Sequence, residues 1–243
     1  KVLDFLVEEG MVSDDGKWLS ATNFGKKISE LYIDPLSGVD IRNGLEKAKS
    51  REPSELGLLH VVCSTPDMNT LYLRKGDDAD LDVLVSDYLD AGKLLIEPPE
   101  KWKHPEKYEY YLAEIKTARM IQDWIDEKSE DQIHEKYNVG AGDIRRKVST
   151  AEWLIHAAHE LAKLFKAKGS IGMLRDLRQR VRYGIKEELL DLASLTGVGR
   201  VRARSLYEAG YQDKDDLRNA TEEELSRINR IGKRTAQRIV NQL

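Results

Sequence analysis

Apolar side chains recur at positions 144, 148, 151, 155, 158, 162 and 165, at spacings of four and three. That spacing places Ile144, Val148, Ala151, Ile155, Ala158, Ala162 and Phe165 on one face of a helix, and it predicts one long helix over residues 140–169. Trp153 lies outside the stripe. On the same wheel it points about 180° away from Ile144, with Arg146 within about 20° of it and about 10 Å along the axis. Ser149 and Glu160 share that outer face. Two readings of Trp153 stay open at this level. It packs against a neighbouring element, as residues of long central helices do, or it stacks on a nucleic-acid base while Arg146 holds a phosphate or a neighbouring base.

The same reasoning lays out the rest of the chain. Val2, Leu3, Phe5, Leu6 and Val7 form the apolar side of a first helix that Gly10 ends. Two short extended runs flank Ser13, Asp14, Asp15 and Gly16, an Asp-Gly hairpin signal. Thr22 caps a following helix through Tyr32. Helix, hairpin and helix read as the last part of a winged-helix domain, with Lys17 and Trp18 on the wing packing against a neighbour or touching DNA. Asp34 and Pro35 open the next helix as cap and first turn. Residues 51–54 break it, and residues 53–64 form an apolar core helix. Leu81, Leu84, Val85, Tyr88 and Leu89 repeat at helical spacing up to Gly92. Residues 97–105, with three prolines, read as a loop. A helix over 110–128 turns Ile115, Ala118, Ile121, Trp124 and Ile125 inward. Ser129 and Gln132 fit a capping box for a short helix through Tyr137. Residues 173–181 supply one more helix, with Arg175, Arg178 and Arg182 as a basic stripe or as solvated arginines paired with Asp176 and other acids. The fold class is mainly α: a partial winged helix with a small β-hairpin, a helical bundle with one long central helix, and a terminal helix-hairpin-helix domain. The expected boundaries are 1–34, 35–185 and 186–243.

The terminal domain rests on an internal repeat. Leu192 to Leu206 reads as apolar helix, Gly197-Val198-Gly199 turn, then a helix with small Ala203 inside; Leu225 to Val240 repeats it, with Arg230 where the first glycine would stand. This repeat resembles tandem helix-hairpin-helix units, which bind the DNA backbone without reading sequence. Glycine lets turn amides approach a phosphate, and the second helix offers its positive amino end. Arg200, Arg202 and Arg204 surround the first turn, and Lys233 and Arg234 the second. A helix-hairpin-helix can also serve as protein glue, and the second unit suits that role better.

Composition narrows the partners. The chain has 243 residues, 40% hydrophobic and 34% charged, with a net charge of -4. Binding to nucleic acid must therefore come from local basic clusters. Cys63 stands alone among apolar residues and reads as a buried small hydrophobe in a reducing compartment. The chain opens on Lys-Val-Leu-Asp-Phe-Leu, already inside an amphipathic helix, which suggests a piece of a longer protein. No G-x-x-x-x-G-K-[ST] phosphate loop, acidic magnesium motif, nucleophile elbow or Cys-x-x-Cys occurs. His156 and His159 sit one turn apart without an obvious third ligand, and Glu152 and Glu160 read as solvated or paired with Lys163, so no metal and no catalytic residue is expected.

The order of these parts carries a resemblance. Leu31-Tyr32-Ile33-Asp34-Pro35-Leu36-Ser37, Gly142-Asp143-Ile144-Arg145-Arg146, Thr150-Ala151-Glu152-Trp153-Leu154 and Gly199-Arg200-Val201-Arg202-Ala203-Arg204 look like the C-terminal part of the archaeal Hjm-type superfamily-2 DNA helicases, relatives of animal helicase Q. The resemblance implies two RecA-like motor domains elsewhere that use ATP and magnesium to drive 3′–5′ unwinding, with no cofactor in this part. It implies a ratchet helix that meets the translocating single strand through Arg146 and Trp153, beside Arg145. It also implies an Arg-x-Arg-Ala-Arg motif at Arg200, Arg202 and Arg204 that grips the emerging strand, near Gly197, Gly199, Lys233 and Arg234. The partners it implies are single-stranded or forked DNA, the motor domains and replication or repair proteins, with no membrane. The location it implies is cytoplasmic, nucleoid-associated and archaeal. Two other readings remain: a stand-alone DNA-binding adaptor, or a protein-interaction scaffold without DNA contact.

Overall fold

The computed structural model describes residues 1–51 and 53–243; of the predicted break at 51–54, position 52 lies outside the described residues. Local capping explains several of the element starts. Helix α1 (Val2–Glu8) leads into an antiparallel hairpin of β1 (Val12–Asp14) and β2 (Leu19–Ala21), with Val12 opposite Ala21. Gly16 takes φ +81° at the hairpin tip, and the Asp14 and Asp15 carboxylates accept backbone N–H bonds across the turn. Thr22 caps α2 (Asn23–Leu31) by accepting from the Gly25 amide. Asp34 caps α3 (Pro35–Ala48), and Ser54 caps α4 (Glu55–Cys63). Cys63 is buried, and burial pushes its thiol pKa up, so it stays protonated and inert.

Several predicted boundaries move. Helix α5 (Asp77–Asp90) precedes α6 (Pro105–Ile125), which starts at the last of the three prolines assigned to a loop. Proline fits the first helical turn because its missing N–H has no partner there in any case. At its other end α6 stops before residue 128, because Glu127 adopts φ +65°. The capping box between Ser129 and Gln132 then opens α7 (Glu130–Tyr137) as expected. The long helix α8 spans Ala141–Leu164 and does not reach 169. Lys166 turns left-handed at φ +57°, and the Ala167 amide bonds back to the Ala162 carbonyl at 2.8 Å. This is a Schellman termination with lysine where glycine usually stands. The next helix, α9, accordingly begins at Lys168 and runs to Tyr183 (Lys168–Tyr183), earlier than the predicted residue 173.

The predicted stripe of α8 is the buried one: Ile144, Val148, Ala151, Ile155, Ala158 and Ala162 are all in the core. Leu154, Ala157 and Leu161 are buried too, which makes the face wider than the stripe. α8 runs through the centre, with α9, α3, α4, α6, α7 and α2 packed around it. Met11, Phe24 and Ile28 join the same core. A second cluster joins α5 to α6 through Leu81, Val85, Tyr111, Leu112 and Ile115.

The last part has its own core, including Ile185, Leu192, Ala203, Leu206, Leu225, Ala236 and Ile239. A 3-10 turn at Glu187–Leu189 leads to α10 (Leu190–Ala193) and α11 (Arg200–Glu208). Then follow α12 (Lys214–Leu217), α13 (Glu222–Ser226) and α14 (Lys233–Val240). The two three-residue strands are the only sheet among the described residues, so the fold is mainly α. No helix among the described residues is long and apolar enough to cross a membrane.

Candidate nucleic-acid interface

The amino end of α8 carries the exposed cations. The Arg146 side chain is 75% exposed, and its nearest acid, Asp143, is 3.5 Å away across one turn. Arg145 is as open and lies 3.2 Å from Glu130. Exposed pairs of this kind hold a side chain weakly. Arg146 also lines a cleft of about 500 Å³ between the 67–74 loop and the start of α8, shared with Arg74, Lys147, Asp143 and Tyr72.

Trp153 stands on the face expected for it but not free in solvent. α2 lies across α8 there. The indole is half-buried, and its N–H donates to the Leu31 carbonyl at 3.1 Å. A helical wheel gives direction only; the element that covers this direction comes from over a hundred residues upstream. Further along, Glu160 supplies the third metal-type donor that the sequence reading did not find beside His156 and His159, all within 4.8 Å of one another. Arg178 meets His156 Nδ1 at 3.2 Å, and Lys163 holds Glu160 at 2.8 Å. Burial, and then the neighbouring cations Arg178 for His156 and Lys163 for His159, lower both imidazole pKa values. Two positive side chains are thus bonded to donor atoms of this cluster. Of the basic stripe on α9, Arg175 pairs with Asp176 as one reading had it, and Arg178 with Glu152.

In the terminal part, both hairpin turns keep one geometry. Gly197 has φ +86°, and Arg230, which stands where the second unit lacks its first glycine, has φ +67°. A non-glycine residue in that region is strained by about 1 kcal/mol or more. Arg230→Gly should therefore raise stability by about 0.5–1 kcal/mol after the entropy glycine adds to the unfolded chain. A denaturant titration checks this through a higher midpoint with unchanged slope. Gly199 and Gly232 cap α11 and α14 without any side-chain bond. α12 and α13, by contrast, are capped by Asp213 and Thr221. The first-turn amides of α11 and α14 are thus open to an anion.

The three arginines of the Arg-x-Arg-Ala-Arg motif do not form one free cationic face. Arg204 forks onto Glu127 and also reaches Glu188 at 2.9 Å, and these bonds, Glu127 first, push its pKa up. Arg200 donates to the Lys128 carbonyl at 2.8 Å and lies 5.2 Å from the Trp124 ring centre. Both tie α11 to the end of α6. Arg202 bonds the Gly197 carbonyl at 2.6 Å and the Arg230 carbonyl at 3.3 Å, so it bridges the two hairpin turns. Lys233 and Arg234 are exposed and have no ion-pair partner among the described residues. On the wing, Trp18 does not pack on a neighbour as expected; it is 77% exposed.

A family model described as archaeal helicase, domain 4, matches residues 56–184, over half of the chain and all of α8. The chain belongs to this archaeal helicase domain 4 family. A second model, described as a SAM-like helix-hairpin-helix tandem, matches residues 189–243. Relatives of the domain 4 chain include an ATP-dependent DNA helicase Hel308 of Methanocella arvoryzae, 44% identical over all of this chain and 33% of the relative. The Hel308 helicase of Caldivirga maquilingensis is 37% identical over all of this chain and 32% of its own length. That of Thermococcus kodakarensis is 35% identical over 95% of this chain and 20% of its own. The domain 4 chain thus spans about a third or less of the curated relatives it matches. Within it, the sequence reading did not single out Tyr72, Arg74 and Lys147 at the α8 cleft, or Glu127 as the seat of Arg204. The alternation of buried Leu71 with exposed Tyr72 is the one local signal that could have marked the first.

Proposed function

We propose that this chain is the DNA-binding part of an ATP-dependent 3′–5′ DNA helicase acting on single-stranded and forked DNA in replication-fork repair. It comprises a partial winged helix over 1–34, a helical ratchet domain over 35–185 and a helix-hairpin-helix domain over 186–243. The motor domains that bind ATP and magnesium lie outside it, and the protein works in the cytoplasm on the nucleoid. The observation that carries the reading is the pairing of exposed Arg146 with Trp153 on one face of α8, within the domain 4 match. Arg146 contacts the strand while a base stacks on the open part of Trp153. Backsliding between motor steps then costs about 1–3 kcal/mol of stacking per base. Arg145 adds charge alongside. Arg202, Lys233 and Arg234, with the open amides after Gly199 and Gly232, take phosphates of the emerging strand. The left-handed turn at Gly197 sets their approach. Arg200 and Arg204 reach the strand only by trading the partners they now hold, which makes them a brake that DNA must release.

One observation favours a second reading, a protein scaffold: Trp153, Arg200 and Arg204 are all engaged with protein groups. Binding of labelled single-stranded, forked and duplex DNA across a salt series separates the two. The helicase reading expects preference for single strands or forks and log-linear loss of affinity with salt. No binding at low salt supports the scaffold.

A further inference from the structure

Tyr72 is 90% exposed, on a loop whose backbone is fixed from below. The buried Thr117 hydroxyl accepts the Leu71 amide at 2.8 Å, and Leu71 itself is buried. Buried Lys116 donates from Nζ to the Tyr72 carbonyl at 2.8 Å and is neutralised by Asp77 at 2.5 Å. On the far side, Lys147 of α8 bonds the Asn69 carbonyl. Burying a lysine is costly, and here the charge is spent on holding a main-chain carbonyl. The result is an aromatic ring displayed in water on a backbone with little freedom left to lose.

The ring stands at a cleft of about 500 Å³, within the range that takes a small ligand. Arg146 lines the same cleft, and the acid that pairs with it, Asp143, is itself exposed and 3.5 Å away, so an incoming phosphate can replace it. Arg74 lies beside them, donating to the Lys136 carbonyl at 2.7 Å. A displayed aromatic next to a lightly held guanidinium is the pairing that binds single strands: the ring takes a base and the arginine its phosphate. Duplex DNA does not suit it, because paired bases present no open face.

We propose that Tyr72 is a stacking platform for single-stranded DNA that holds one base in the cleft shared with Arg146, one step along α8 from Trp153. The proposal rests on the single-strand reading given above and adds a second aromatic to the track.

The test uses the chain with oligothymidine carrying 5-iodouracil, photocrosslinked at low ionic strength and mapped by mass spectrometry, alongside affinities of Tyr72→Ala, Tyr72→Phe and Arg146→Ala. Tyr72 is exposed, so its substitutions leave the Tm unchanged. The expected result is a crosslink at residue 72, a loss of about 5- to 100-fold for Tyr72→Ala, and affinity within about twofold for Tyr72→Phe. If Tyr72→Ala binds as the unsubstituted chain does while Arg146→Ala weakens binding, the platform is overturned and the single-strand reading stands. Equal losses in Tyr72→Ala and Tyr72→Phe point to the hydroxyl and overturn stacking. If neither Tyr72→Ala nor Arg146→Ala changes affinity, or nothing binds, both readings fail together.

Discussion

Arg180→Ala is expected to destabilise the protein by about 3 kcal/mol. Arg180 is 6% exposed and sits where three segments meet. Its guanidinium pairs with Glu55 at the start of α4, lies 4.0 Å from Asp126 beyond the end of α6, and donates to the Ile185 carbonyl at 3.2 Å. Its own carbonyl accepts the Gly184 amide that ends α9. Removing the side chain leaves a cavity and an unpaired Ile185 carbonyl. Glu55 and Asp126 keep partial access to water, which holds the loss to the low end for a broken buried pair. Arg180→Lys recovers little, because an ammonium cannot bond three acceptors in a planar fork. Thermal unfolding checks both variants. The Ile185 bond adds a second expectation: α10 and α11 loosen against the rest, seen as faster amide exchange around residues 185–206.

Trp153→Ala is the second large effect, and it acts on two quantities. The indole is half-buried on the main core and bonded to Leu31, so its loss costs about 2–3 kcal/mol, below the range for a fully buried tryptophan. The same change removes the proposed base platform and should weaken single-strand binding by about 5- to 100-fold. Trp153→Phe separates the two. Phenylalanine keeps a stacking face but cannot donate to the Leu31 carbonyl, so it loses about 1 kcal/mol of stability while keeping most of the affinity. A chain in which Trp153→Phe and Trp153→Ala bind alike uses the indole only as packing.

The parts legible in the sequence were those written locally. Thr22, Asp34 and Ser129 announce their helices because a cap needs only the next three residues. The buried stripe of α8 follows from its spacing. The break at Lys166 was hidden because a lysine occupies the left-handed position where glycine is the usual sign. The site was half legible for a related reason. Arg146 shows its exposure through periodicity alone, but the cover over Trp153 comes from α2, and the seat of Arg204 at Glu127 lies 77 positions away. The pinned Tyr72 was missed because its supports, Lys116 and Thr117, come from a helix more than forty residues on. Pairings at that separation leave no trace in a window of fifteen residues.

In the proposed function, α8 grips single-stranded DNA through its Arg146 and Trp153 face. The most direct measurement is the affinity of the chain for a labelled single strand, compared with Arg146→Ala. Arg146 is exposed and loosely paired, so the substitution leaves folding intact and reports on binding alone. The variant is expected to bind more weakly and with a shallower salt dependence, by about 0.7 unit of log-log slope for one lost phosphate contact to a single strand. Unchanged affinity and slope, in a chain that otherwise binds single strands, would contradict it.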